Sequence, residues 1–135
     1  MKLCYNKLMD ILLQIGLSQS EIKTMLEQNP EIVNLSNEEI SQKIDVLKQI
    51  KCSDAIIRNI LFSNPFYLTR SRKDIVELLE KLTSIGIEGL FAMIDTNPWI
   101  LNFDAYEIDE FIAKKLAEGM SYDDIIDLID AGEIE

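Results

Sequence analysis

Apolar side chains recur along this chain at spacings of three and four, in stripes separated by short polar breaks. Tyr5, Leu8, Leu12 and Ile15 form one stripe, and Ile40, Ile44, Leu47 and Ile50 a second. Ile75, Leu78, Leu79 and Leu82 make a third, and Ile108, Phe111 and Ile112 a fourth. This spacing puts side chains on one face of an α-helix, so each stripe predicts a long helix with one buried side. A shorter second helix follows each, carrying the apolar pairs Met25-Leu26, Ile60-Leu61, Met93-Ile94 and Leu128-Ile129. Start signals agree with these positions. Ser18-x-x-Glu21 and Ser36-x-x-Glu39 have full capping-box form, and Asp104-x-x-Glu107 is a close relative. Ser71-x-x-Asp74 and Ser121-x-x-Asp124 are weaker versions with a shorter acid. No run alternates at period two with strand-forming residues, so the fold class is all-α.

The stops repeat as well. All three prolines follow an asparagine, at Asn29-Pro30, Asn64-Pro65 and Asn97-Pro98, spaced 35 and 33 residues apart. Proline disfavours the helical region for the residue before it and has no N–H to donate, so each pair ends a helix. The asparagine can then cap a short new turn with proline at its first position. Upstream, one tetrapeptide recurs in register: Ile15-Gly16-Leu17-Ser18, Ile50-Lys51-Cys52-Ser53, Ile85-Gly86-Ile87-Glu88 and Glu118-Gly119-Met120-Ser121. The fourth copy reaches its apolar pair and ends at Asp130-Ala131-Gly132 without a proline. Residues 1–135 therefore read as one domain of about three and a half copies, at roughly 3–35, 36–70, 71–103 and 104–135. The expected architecture is a short right- or left-handed α-solenoid, in which each helix pair buries its stripe against its neighbours. Such arrays usually grip something long.

Catalytic tools are scarce. The chain has no histidine, which removes the commonest general base and most zinc sites, and its five glycines are scattered rather than gathered in a phosphate loop. Asp123, Asp127 and Asp130 share a helical face, read as solvated, because no calcium-loop spacing accompanies them. The expectation is a non-enzyme with no cofactor, no metal and no small-molecule substrate. Cys4 and Cys52 lack any partner spacing and read as reduced packing residues. Polar residues Asn6, Lys7 and Asp10 interrupt the first segment, which is read as neither a signal peptide nor a membrane span. A soluble, cytoplasmic protein with no membrane partner is expected.

Charge changes the picture more than composition does. The net charge is −11 and the isoelectric point 4.4, but the distribution is uneven. Residues 43–73 carry seven basic side chains (Lys43, Lys48, Lys51, Arg58, Arg70, Arg72 and Lys73) against Asp45 and Asp54. Residues 104–135 carry two basic side chains against eleven acids. The seven basic residues are the candidate nucleic-acid or anion-binding set. Arg70, Arg72 and Lys73 straddle a helix start, where positive charge opposes the helix dipole and invites an anion. The acidic final copy reads as a polar cap on the open end of the array. Phe66, Tyr67 and Trp99, next to two of the prolines, read as packing residues within or between copies, with stacking on a base or on a partner as the alternative.

The recurring order of Gly-Leu-Ser, Ile, Met-Leu and Asn-Pro, then an apolar residue at Val33, Leu68 or Leu101, resembles the mitochondrial transcription termination factor (mTERF) repeat. The resemblance covers nearly the whole chain, departing from it at Lys51-Cys52 and at the missing fourth proline. It implies a solenoid of two helices plus a short 3₁₀ turn per copy. It also implies binding of double-stranded DNA or RNA along a basic concave groove, a role found mostly in mitochondria and chloroplasts. Two functions follow. In one, the array binds nucleic acid through its basic middle copy. In the other, it is a protein-interaction scaffold, self-associating as the basic middle of one molecule meets the acidic end of another.

Overall fold

The computed structural model describes residues 10–134. Residues 10–14 are helical (α1). The chain continues through α2 (Gln19–Gln28), a 3₁₀ turn (Pro30–Asn34), α3 (Asn37–Gln49), α4 (Asp54–Ser63) and a second 3₁₀ turn (Pro65–Thr69). Then come α5 (Arg72–Ser84), α6 (Leu90–Thr96), a third 3₁₀ turn (Pro98–Asn102), α7 (Ala105–Ala117) and α8 (Tyr122–Asp130). No strand occurs among the described residues. The order is the all-α helical repeat that the periodicity predicts: long helix, short helix, 3₁₀ turn. Of the first stripe, Tyr5 and Leu8 lie outside the described residues, as does Cys4, while Leu12 is buried.

Local chemistry accounts for the helix starts. Ser18 Oγ accepts the Glu21 N–H at 3.0 Å while Glu21 Oε1 accepts the Ser18 N–H at 2.9 Å, and Ser36 and Glu39 repeat the exchange at 3.1 Å each way. Asp104 donates its N–H to Glu107 Oε1 at 2.8 Å. Ser121 and Ser53, which lack a glutamate three residues on, cap one way only, each accepting an N–H at 3.2 Å. Each such cap contributes about 1 kcal/mol.

The long helices end alike. In every copy the residue past the helix donates to a carbonyl three residues back, and the next residue to one five back: Gly16 and Leu17, Lys51 and Cys52, Gly86 and Ile87, Gly119 and Met120. This paired closure needs a left-handed residue at its first position. Three copies use glycine there, and the second uses Lys51 at φ 75°.

One expectation needs correction. The asparagines before proline do not cap their own turns: none of Asn29, Asn64 and Asn97 makes a side-chain cap bond. At φ near −137° and ψ near 81°, Asn29 is outside the extended geometry of a capping residue. Its buried amide instead donates to Pro65 O at 3.2 Å and Thr69 Oγ1 at 3.0 Å, tying the first copy to the second. The third copy also departs. Its second helix, α6, has only seven residues and starts after Gly89, a left-handed N-cap at φ 65° with no side chain to offer.

The chain divides into two compact units, Met1–Arg72 and Lys73–Glu135, where the sequence reading has a single domain. In the first, Ile22, Met25, Ile32, Ile40, Leu47, Ile57, Ile60, Leu61 and Leu68 supply the core. In the second, Ile75, Leu78, Leu82, Ile94, Leu101, Ile108, Ile125 and Ile129 do so. An ion pair joins α5 to α7 there, Lys81 Nζ to Asp109 Oδ1 at 3.0 Å. The last copy ends at Gly132, left-handed at φ 77°, and the Asn97 side chain packs where a Cβ on that glycine would sit.

Candidate nucleic-acid interface

The seven basic candidates divide by burial. Lys43 leaves the set: it is only 5% exposed, and its Nζ donates to Leu68 O at 3.0 Å. Burial lowers its pKa, an effect partly opposed by the Glu39 carboxylate. The lysine bridges α3 to the second 3₁₀ turn, and Tyr67 returns the tie by donating its hydroxyl to Lys43 O at 2.6 Å. Tyr67 is fully buried, and burial pushes its phenol up. A phosphate cannot reach this ammonium without breaking the second copy apart.

Arg58 is half-buried, and its guanidinium donates to Ile15 O at 2.9 Å while lying over Gly16. It closes off the carbonyl end of α1, where a positive charge is favoured. Arg70 is half-buried at the exit of the second 3₁₀ turn.

Lys48, Lys51, Arg72 and Lys73 are exposed. Lys48 and Lys51 are brought together at the C-terminal end of α3, the first in its last turn and the second in the left-handed position just beyond. Arg72 opens α5 and closes the first unit. Lys73 belongs to the second unit and stands 4.0 Å from Glu77 Oε1, one helical turn away. Of the seven candidates, the first unit therefore offers three that face solvent: Lys48, Lys51 and Arg72.

The aromatic trio also divides. Tyr67 packs as expected, but Phe66 is 49% exposed and Trp99 51% exposed. The 3₁₀ turns give the reason. In each, the proline's next neighbour points outward and the two residues after it turn inward, as with buried Tyr67 and Leu68 or Ile100 and Leu101. Glu31 holds the same outward position in the first copy. That charged residue was the signal in the sequence that the position faces water.

Among the described residues, no group of three or more His, Cys, Asp or Glu side chains is placed to hold a metal, and no helix is long and apolar enough to cross a membrane. Asp123, Asp127 and Asp130 are exposed on α8. The cavities of the second unit are open surface depressions. One, of about 370 Å³, is lined by Asp74, Glu77, Asp104, Ala105 and Tyr106, which suits no anion.

No curated protein matches the chain. The mTERF family model matches residues 3–131. With the long-helix, short-helix, 3₁₀-turn unit repeated through that span, the chain belongs to the mTERF family.

Proposed function

We propose that this protein is a non-catalytic nucleic-acid-binding repeat protein that makes its phosphate contacts through the first unit. Family membership supports the ligand class. The observation that carries the site is Lys51. Three copies place glycine at the left-handed helix end, while the basic copy places a lysine there at φ 75°. That conformation costs a non-glycine residue on the order of 1 kcal/mol. A lysine in that position, exposed beside Lys48, fits a role for its charge outside the fold.

The acidic remainder of the chain slows approach to a polyanion, but salt screens it beyond about 8 Å at physiological ionic strength. Binding then depends on local charge. Three phosphate contacts give a log–log salt slope of roughly −2 for a single strand or −3 for a duplex. Titrating labelled oligonucleotides with the protein across a salt series tests this. The expected outcome is a slope of that size, reduced by about one contact in Lys51→Gly. The absence of binding to any nucleic acid at about 50 mM salt removes the reading.

One observation favours a second reading, self-association: the basic stretch 43–73 and the acidic stretch 104–135 are opposite in sign. It requires a concentration-dependent, salt-sensitive oligomer in sedimentation. A monomer at every ionic strength eliminates it.

A further inference from the structure

We propose that Phe66 is a stacking platform for an unpaired base, so that the first unit prefers single-stranded nucleic acid; this rests on the nucleic-acid reading above. Phe66 is 49% exposed, although the repeat geometry does not require an aromatic there, since Glu31 takes the matching position in the first copy.

The backbone that carries the ring is held from every side. Pro65 is buried and its carbonyl accepts from Asn29 Nδ2 at 3.2 Å. Phe66 O accepts from Thr69 Oγ1 at 3.1 Å, and that hydroxyl also accepts from Asn29. The next residue, Tyr67, is buried and anchored to Lys43 O. With both neighbours fixed inward, the Phe66 ring cannot turn into the core. An aromatic already held in place loses little freedom when a flat partner stacks on it, which is the condition for a useful contact.

Charge selects the partner. The turn exits through Arg70 to exposed Arg72, and α3, tied to the same turn through Lys43, carries exposed Lys48 and Lys51 at its end. An exposed ring on a unit that also presents exposed cations suits a ligand with flat apolar faces strung on a phosphate backbone. Bases in a duplex have both faces covered by their neighbours, so only an unpaired base offers a face to Phe66. Trp99 has the same exposure and repeat position, but the stretch around it, residues 74–103, has one basic residue against five acids. It lacks phosphate partners and serves as an internal control.

The test is anisotropy of a labelled oligothymidine of about 12 nucleotides, against a blunt hairpin duplex, at about 50 mM salt. The single strand is expected to bind more tightly. Phe66→Ala should weaken single-strand binding about 10-fold and leave duplex binding within about 2-fold, while Phe66→Tyr retains it. A spectroscopic arm reads stacking directly: in the double variant Trp99→Phe/Phe66→Trp, oligothymidine should quench fluorescence, while Trp99 in the natural protein stays unquenched. Duplex preference, an equal effect of Phe66→Ala on both ligands, or no quenching overturns this inference and leaves nucleic-acid binding standing. If the natural protein binds neither ligand, both readings fall together.

Discussion

The second and third copies fill two core positions with opposite chemistry. Counting from the residues before their long helices, Ser36 and Ser71, Lys43 stands where the third copy has Leu78. Likewise Tyr67 stands where the third copy has Ile100. Leu78 and Ile100 are simply buried. Lys43 and Tyr67 are buried too, but each donates to a main-chain carbonyl of the other's element. The same fold accepts both solutions because a buried polar group costs little once it has its partner and a great deal without one. The polar solution makes the second 3₁₀ turn a fixed platform, which suits a contact surface. The apolar solution gives packing alone.

Four perturbations break or sharpen this contrast. The largest is Tyr67→Ala, expected to cost about 4 kcal/mol, against about 3 kcal/mol for Ile100→Ala at the matching position. Urea midpoints at constant slope measure both, and a smaller loss for Tyr67 would deny its anchoring role. Next is Asn29→Ala, which strips the turn's cross-copy tie and leaves Pro65 O without that donor, for about 2 kcal/mol. A change below about 0.5 kcal/mol would make the tie incidental.

The third is an exchange at the helix ends. Lys51→Gly should stabilise by about 1 kcal/mol and Gly86→Lys should destabilise by a similar amount. Thermal melts of both variants check the pair, and stabilisation with weakened oligonucleotide binding in Lys51→Gly would display the trade between fold and ligand.

The smallest effect is on pH dependence. Burial holds the Lys43 pKa below its ordinary 10.5, so between the folded value and 10.5 the unfolded chain binds more protons and stability rises with pH. Tyr67 has the opposite sign. Its phenol is pushed up from 10.0, so above that value the unfolded chain releases a proton that the fold keeps, and stability falls. Unfolding midpoints from about pH 8 to pH 11 should rise and then drop. Lys43→Met should abolish the rise, and a rise that persists in that variant refutes the assignment.

Much of this was legible beforehand because it is written in short-range rules. The Asn-Pro pairs, the stripes and the serine caps gave the helix order, and the structure places caps at the expected Ser18, Ser36, Asp104 and Ser121, and at Ser53 besides. The candidate site was less legible. Lys43 reads as one more surface cation until the copies are set in register, when it falls in a column with Leu78 and Phe111, both buried. Phe66 and Trp99 read as packing residues until Glu31 is seen to share their position. Both signals lay in comparison between copies. Asn29 had none, because its partners are 36 and 40 residues away.

By itself, then, the order of residues determined where helices begin, where they stop and which of their faces is apolar, since those depend on neighbours within a turn or two. Tertiary structure alone decided which charges reach water. Burial is a property of what the adjacent copy lays over a side chain, and that is how seven like-charged candidates became one strut, one helix-end closure, one half-buried arginine and four exposed cations.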